Sequence, residues 1–289
     1  MLRRAILLIS LFASAGPSPA QTSLAWKFRS GDTFHVEQHV LQATALEIEN
    51  KPLRQKSDWK MTSRWQVKQD ARESATLLVT VGSLTSKTFT GDAKVGISAR
   101  EDELWTGAEF TLTVDPQGRV RAVQGHEALL KKLAGDSPER LKILTALKPP
   151  DYFQALFQDV LGPLPDRPVE PGDRWQTSAA DTMSIFGTLV QTTEFTYQGP
   201  RDGLHTIDSA TTSAYKAPRY AIENDVFRIT KGQVKVESGK GHFLFDAAQG
   251  RVRRVQKSIN LRGELTMDTL SGTQRIEFTM GTEMKIEIK

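Results

Sequence analysis

Apolar and polar residues alternate with a period of two along most of the chain. The clearest case is the segment 275–288, whose apolar positions are Ile276, Phe278, Met280, Met284, Ile286 and Ile288, and whose charged positions are Arg275, Glu277, Glu283, Lys285 and Glu287. Successive side chains of a strand point to opposite faces, so the pattern predicts a strand with even positions on a core and odd positions in water. At ~3.4 Å per residue the apolar run spans roughly 44 Å, a length that favours a strongly curled sheet.

Similar alternation marks further strands in both halves of the chain. The segments are 24–28, 33–49, 59–67, 76–81 and 110–114, followed by 188–197, 204–215, 233–245 and 255–267. One apolar and one polar face are typical of half-buried antiparallel strands. We therefore predict a mainly β fold of the α+β class, in which long curled antiparallel strands form a duplicated, half-barrel-like sheet.

The spacing of apolar residues changes to three and four over residues 126–161, which predicts a helical segment there. Gly135 is placed to end a first helix, and Ser137 followed by Pro138 is a helix start signal. A third helix follows Pro149, and its apolar stripe runs from Tyr152 to Leu161.

The duplication is predicted from repeated turns. Residues Gln117–Gln124 and Gln249–Gln256 are identical at seven of eight positions, and each copy follows an aspartate, Asp115 or Asp246. Aspartate and glycine at these positions predict the same β-hairpin turn twice. A Gly-Asp pair also precedes an aromatic residue in both halves, within the sequences 31–34 and 172–175.

These features predict the domain organisation. Arg3 and Arg4, the apolar run 5–15 and the small residues before Gln21 predict a signal peptide at 1–20. The predicted order is then a first β repeat at 21–125, a helical segment at 126–162, a proline-rich connector at 163–172 and a second β repeat at 173–289, with both repeats in one compact unit. The protein is accordingly expected outside the cytoplasm, in the periplasm or secreted, and not membrane-spanning after cleavage.

Charge and cysteine content narrow the function classes. Two of the 38 basic residues lie in the predicted signal, which leaves 36 basic against 34 acidic residues. Because lysine and arginine are dispersed along the strands, the sequence predicts no nucleic-acid partner. The chain has no cysteine, so an exported form must be stabilised by its packed core and not by disulfides.

The sequence predicts no catalytic residues, no metal site and no cofactor. His35 and His39 share a strand face but lie ~13 Å apart, too far for one metal ion. Gly239-Lys240-Gly241 lacks phosphate-loop spacing and instead predicts a turn between strands. A carboxylate pair assembled from distant strands would leave no mark in one sequence, so a hydrolase stays an alternative to the non-enzymatic interpretation.

Aromatic and apolar residues supply the candidate ligand contacts. Trp59, Met61 and Trp65 alternate on one face of a predicted strand, and Phe153 and Phe157 lie on one face of the third predicted helix. Aromatic residues in strands more often form sheet core. If the sheet is curved and the helices cover its open side, these five residues are our candidates for contacting an apolar or amphipathic ligand.

The sequence Trp-Lys-Phe-x-x-Gly-Asp-x-Phe at 26–34, with the second Gly-Asp-aromatic sequence at 172–175, resembles a family of uncharacterised exported bacterial proteins known only as a domain of unknown function. That resemblance would cover nearly the whole mature chain and implies no catalytic residues. Long curled strands with a helical segment are also similar to the half-open barrels of bacterial lipoprotein carriers, a likeness of fold alone.

Three functions are consistent with these patterns. The first is a non-enzymatic exported protein that binds a lipid or another apolar ligand in a curved sheet. The second is a structural or protein-interaction module of the cell envelope, with an envelope protein as partner. The third is a hydrolase with a carboxylate site, which carboxyl groups of raised pKa in a shared cleft would favour. A transmembrane barrel fits poorly with the helical segment and the charged strand faces.

Overall fold

The computed structural model describes residues 21–48, 51–71, 73–91, 93–94, 99–162, 164–182, 187–216, 227–269 and 272–289. The predicted signal peptide lies outside these residues. The strands are β1 (Thr33–Ile48), β2 (Lys51–Asp70), β3 (Ala75–Thr90), β4 (Ala93–Lys94), β5 (Glu109–Val114), β6 (Val120–Gln124), β7 (Arg174–Thr182), β8 (Thr188–Arg201), β9 (Leu204–Lys216), β10 (Phe227–Asp246), β11 (Arg251–Thr269) and β12 (Gly272–Ile288). The helices are α1 (Ala99–Trp105), α2 (His126–Ala134), α3 (Pro138–Leu147) and α4 (Pro150–Leu161).

All strands belong to one open antiparallel sheet, in the order β6-β5-β3-β2-β1-β12-β11-β10-β9-β8-β7, with β4 paired to β3. The first strand therefore pairs with the last in the middle of the sheet. The strands of the first half follow one another outward from this junction to β6. The strands of the second half start at the other edge, β7, and lead back to the junction. The predicted mainly β fold with long antiparallel strands is confirmed.

Strand β12 has the two faces that its sequence predicts. Ile276, Ile286 and Ile288 are buried, and Phe278, Met280 and Met284 are half-buried against core residues. Glu277, Glu283 and Lys285 are exposed on the opposite face. Because β1 and β11 pair with β12 on its two sides, the terminal strand lies inside the sheet.

The predicted helical segment is confirmed as α2, α3 and α4. The side chain of Ser137 accepts a hydrogen bond from the backbone N–H of Arg140 and so caps α3, while Gly135 ends α2 at a φ of 62°. Helix α1 was not predicted. It has only seven residues and a single buried apolar side chain, Trp105, which is too short a pattern to show a helical period.

Helix α4 fills the concave face of the curved sheet. It contacts edge strands β6 and β7 as well as the inner strand β11, which places it between the two ends of the sheet. The side-chain amide of Gln158 accepts from the backbone N–H of Val120 at 2.9 Å and donates to the carbonyl of Gly118 at 2.8 Å. Gln154 donates to the carbonyl of Val120 at 2.6 Å. These bonds satisfy backbone groups of an edge strand that would otherwise lack partners.

Replacing Gln158 by leucine is expected to lower the free energy of unfolding by about 1–3 kcal/mol, because it leaves partly buried backbone groups of β6 unpaired. The exposed Gln256 on β11 provides a matched control, and Gln256→Leu is expected to change stability by less than about 0.5 kcal/mol. Urea unfolding of both variants measures the difference. Equal losses would show that α4 does not secure the β6 edge through this amide.

The two Gly-Asp turns have the same backbone hydrogen bonds. In the first, Gly31 donates to Val67, and Val67 donates back to Asp32. In the second, the same two bonds join Gly172, Tyr197 and Asp173. The glycines have φ values of 92° and 94°, a region that favours glycine. Equivalent geometry at both turns is what a duplicated unit requires, and the repeat boundaries stay a prediction.

Both copies of the repeated octapeptide sequence form hairpin turns, between β5 and β6 and between β10 and β11. The N-terminal segment 22–29 runs between these turns. The N–H of Trp26 donates to the carbonyl of Pro116 in the first turn, and the N–H of Lys27 donates to that of Gly250 in the second. Residues 24–28 were predicted as a strand but form no ladder, although Leu24 and Trp26 are buried as the alternation implied.

The turn predicted at Gly239-Lys240-Gly241 is wrong, since these residues lie inside β10. Glycine is needed at 239 and 241 because a side chain there would clash with strand β9. A Cβ atom on Gly239 would lie 2.8 Å from the Cβ of Thr211, and one on Gly241 would lie 2.4 Å from the Oγ of Ser209. Strand β9 therefore approaches β10 too closely for side chains here, as expected where a sheet bends sharply.

Candidate ligand-binding cavity

A cavity of about 190 Å³ lies between the inner face of β2 and β3 and all four helices. Its lining residues are Trp59, Met61, Leu84, Ser86, Glu101, Asp102, Trp105, Leu133, Leu144, Lys148, Tyr152 and Leu156. Met61, Trp105 and Leu133 are buried, whereas Tyr152 is more than a third exposed. The cavity is therefore apolar in its depth, and its ionisable groups lie toward the mouth.

A β-bulge places the β3 side chains in this wall. The pairing of β2 with β3 shifts between Thr62 and Ser63, so that Gly82 is an extra residue on β3. Odd residues of β3 face the core before Gly82, and even residues face it afterwards, which points Leu84 and Ser86 into the cavity. Without the extra residue, Leu84 would lie on the solvent face.

Helix α1 is fixed to the sheet by a carboxylate. Asp102 accepts hydrogen bonds from the backbone N–H of Ser86 at 2.8 Å and from its hydroxyl at 2.7 Å. These bonds orient the helix so that Trp105 forms part of the cavity floor, with its ring 6.2 Å from that of Phe153. The depth of the cavity is thus held by rigid elements of the sheet and the core.

Helix α3 covers the cavity without being built into the core. It contains no buried residue, and Ile143 and Leu147 are 57% and 47% exposed on its outer side. Leu144 is its contribution to the cavity wall. The Nη2 atom of Arg140 lies 2.7 Å from the Oε1 of Glu101 and links α3 to α1, an exposed ion pair of a kind that contributes at most about 1 kcal/mol. Helix α3 is therefore held over the cavity by half-buried side chains, Leu141 and Leu144, and by an exposed ion pair.

One cation at the mouth lacks an acidic partner. The Nζ of Lys148 lies 4.5 Å from the ring centroid of Tyr152 and 3.4 Å from its hydroxyl. Across the described residues, no carboxylate oxygen lies within 4.0 Å of this Nζ. Of the two acids in the lining, Glu101 is paired with Arg140, and Asp102 is occupied by Ser86.

The five predicted ligand contacts divide into two groups. Trp59 and Met61 line the cavity. Trp65, Phe153 and Phe157 are fully buried and do not line it. The ring of Trp65 meets that of Phe157 edge-on at 5.7 Å, and Phe153 packs against Phe110, so these three belong to the core behind the cavity. Ligand binding itself stays a prediction for all five.

Sequence reasoning missed most of the wall. Leu84 depends on a bulge, Trp105 on an unpredicted helix, and Leu144 and Lys148 on how α3 lies over the sheet. The sequence signal that could have indicated α3 as the cover of the cavity is the apolar residues on its outer side. Its apolar residues include Ile143 and Leu147 on a face that nothing in the sequence pairs with a second layer.

Larger grooves also occur, and one of about 770 Å³ crosses β1, β12, β11 and β10 with both apolar and charged side chains in its lining. Charged side chains line it and neutralise one another. Within the lining, Arg262 pairs with Glu237 at 3.1 Å, and Glu264 pairs at 2.7 Å with Arg275, which lies outside the lining. Seven of its 17 lining residues are charged, against three of 12 in the cavity below the helices, so it is a weaker candidate for an apolar ligand.

Three histidines have polar partners on a neighbouring strand, while His126 lies 3.3 Å from Glu127 within α2. His39 lies 2.9 Å from Asp58, His242 lies 2.8 Å from Asp208, and the Nδ1 of His205 lies 2.6 Å from the hydroxyl of Tyr197. Burial lowers the pKa of His205 below its ordinary value, against the opposing charge of a nearby aspartate. No group of three metal-binding side chains occurs within the described ranges.

Two carboxyl groups have clearly shifted pKa values, and both shifts are downward. The backbone N–H of Glu170 and the guanidinium of Arg167 lower the pKa of Asp173. A hydrogen bond from Lys285 lowers the pKa of Glu287. Neither acid lines the cavity, and a carboxyl group of raised pKa, which would favour the hydrolase hypothesis, does not occur among the groups with resolved shifts in the described part of the chain.

Among the described residues, no helix is both long enough and apolar enough to cross a membrane.

The family model of a family of unknown function, DUF6263, matches residues 103–250, just over half of the chain. This match confirms the resemblance to a domain of unknown function. It includes the second Gly-Asp turn and not the first. No curated protein matches the sequence.

Comparison with solved structures gives weak matches, of which three are described. A structure of lipovitellin is 11% identical, with 91% of this chain and 25% of the lipovitellin chain covered at a TM-score of 0.47. The chain thus spans about a quarter of the length of lipovitellin. The outer membrane protein OprG from Pseudomonas aeruginosa is 5% identical, with 90% and 97% covered and a TM-score of 0.21. A β-barrel-like protein of the domain of unknown function DUF1849 from Brucella abortus is 12% identical, with 90% and 100% covered and a TM-score of 0.18.

Proposed function

The chain belongs to DUF6263, a family of unknown function, and from its own geometry we propose that it is a non-enzymatic exported protein that binds an apolar or amphipathic ligand beneath α3. The observation that carries the proposal is an apolar cavity whose cover, α3, contains no fully buried side chain. A wall formed by Trp59, Met61 and Trp105 would gain free energy by exchanging water for an apolar group.

The size of the cavity sets what it accepts. A volume of about 190 Å³ exceeds the ~150 Å³ of an engineered apolar cavity that binds benzene, but it is below the ~300 Å³ of usual ligand pockets. A short chain or a single ring fits with α3 in place. A longer ligand requires α3 to move outward, which its half-buried contacts and the exposed Arg140–Glu101 pair permit.

A cavity-filling variant tests the proposal. The probe is 1-N-phenylnaphthylamine, whose fluorescence rises in apolar surroundings and whose three rings enter when α3 moves outward. Leu84→Trp adds a ring on the rigid β3 wall and is expected to weaken probe binding at least tenfold, because the larger side chain occupies the cavity. Thr85→Trp adds the same ring one residue away on the exposed face and should leave binding unchanged.

The fold of both variants is checked by thermal melts before titration. Absence of probe binding to the wild type, or equal binding by Leu84→Trp and Thr85→Trp, would overturn the proposal. In that case the envelope-module alternative gains support, and cross-linking in envelope extracts would identify its partner. Native mass spectrometry of protein from its host would then show whether an apolar molecule accompanies the purified chain.

Export is part of the proposal and rests on the charge, apolar run and small residues of 1–20. N-terminal sequencing of protein from its host is expected to begin near Gln21. Recovery of Met1 would contradict export, while leaving ligand binding to be judged by the titration above.

A further inference from the structure

We infer that the ligand carries an anionic head group, a carboxylate or a phosphate monoester, which Lys148 and Tyr152 bind at the mouth while the apolar tail enters the cavity. The inference rests on the proposed function and narrows its ligand class. It follows from which charges at the mouth are already neutralised and which is not.

The acids of the mouth are engaged within the protein. Glu101 is held by Arg140 at 2.7 Å, and both oxygens of Asp102 accept hydrogen bonds from Ser86. Neither is free to bind a cationic head group without giving up a present partner. Such an exchange would gain little, because each new contact would replace an existing one.

Lys148 is in the opposite situation. The residue is half-buried at the end of α3, and its ammonium faces the ring and hydroxyl of Tyr152, with no carboxylate within 4.0 Å among the residues described. An ammonium has three N–H donors, and a phenol adds an O–H donor. These donors converge at the mouth of an apolar cavity, where bonds to a charged acceptor are stronger than neutral ones.

The tail follows from the volume. At ~30 Å³ per water-sized group, the cavity has room for roughly six such groups. A chain of six to eight carbons with its acidic end at Lys148 would therefore fill the space with α3 closed. Longer chains would bind only with α3 displaced and should show less gain per added carbon.

Four eight-carbon compounds separate the head group from the tail. Octanoate, octyl phosphate, octanol and octylamine are each titrated as competitors of 1-N-phenylnaphthylamine at low salt. Octanoate or octyl phosphate is expected to bind at least tenfold more tightly than octanol, and octylamine more weakly than octanol. The order of the two acids then tells a free carboxylate from a phosphate head group.

Lys148→Met keeps the apolar stem and removes the charge, and it should erase the preference for acids while octanol binding stays within about twofold. Lys142→Met removes an exposed lysine from the same helix and should preserve the preference. If octanoate, octyl phosphate and octanol compete equally in the wild type, or if Lys148→Met keeps the preference, the head-group inference is overturned and the cavity function survives. If none of the four competes, both fail together.

Discussion

Phe278→Asp is expected to lower the free energy of unfolding by about 3 kcal/mol, whereas Glu277→Ala should change it by about 0.5 kcal/mol or less. The ring of Phe278 packs over Gly263 of β11 so closely that a Cβ atom there would lie 2.3 Å from it. On the other side its strand partner is Leu46 of β1. Aspartate removes these apolar contacts and places a charge against an apolar layer.

Glu277 lies on the opposite face among like charges. Its direct partners across the two neighbouring strands are Glu47 and Glu264, which repel it, while Arg275 attracts it at 3.0 Å. Since like charges directly opposite each other destabilise a sheet, loss of this carboxylate removes one favourable and two unfavourable interactions. The net effect should therefore be small.

Chemical unfolding of both variants at neutral pH measures the contrast. An equal loss in the two, or a larger loss for Glu277→Ala, would mean that the apolar face of β12 is assigned to the wrong side. A one-residue slip in register would produce that result, because it exchanges the two faces of the whole strand.

The sequence was sufficient for β12 because water touches one face of it and the core touches the other. The same holds for α4, whose stripe from Phe153 to Leu161 has the helical period and is buried as that period requires. In both cases the spacing of apolar residues within the element shows which face is buried. The buried face can therefore be assigned from local spacing alone, and a single sequence is enough for that.

The cavity could not be predicted in this way, because its wall is assembled from six elements, two strands and four helices. Trp59 and Met61 were found since they lie on the inner side of an alternating strand. Leu84 follows a bulge, after which even and not odd residues of β3 face the core. The glycines at 239 and 241 lie within a strand, at positions where the nearby strand β9 leaves no room for a side chain. The bulge changes which positions of β3 face the core, and the crowding comes from a strand distant in sequence, so the fold is needed to interpret both.

The last prediction concerns the turns that the duplication placed at Gly118 and Gly250. Both glycines have positive φ values, 77° and 64°, and both touch the N-terminal segment. A Cβ atom on Gly250 would lie 2.4 Å from the Cβ of Lys27, and one on Gly118 would lie 2.7 Å from the Nε1 of Trp26. Alanine at either position therefore meets backbone strain and a clash with the same segment.

Gly172 separates the two costs. Its φ is 94°, but a Cβ atom there would meet nothing within 4 Å. Gly172→Ala should thus cost only the left-handed backbone conformation, about 1–2 kcal/mol. Gly250→Ala should cost that amount and a further ~1–3 kcal/mol of overpacking against Lys27.

Amide hydrogen exchange makes the distinction local. The N–H of Lys27 donates to the carbonyl of Gly250 at 2.8 Å, so its exchange should accelerate in Gly250→Ala and stay unchanged in Gly172→Ala. If the two variants lose equal stability and Lys27 exchanges alike in both, the second hairpin turn does not hold the N-terminal segment. If only Gly250→Ala accelerates the exchange of Lys27, the repeated turn has a role that its sequence alone does not reveal. It holds the segment 22–29 against the turn between β10 and β11.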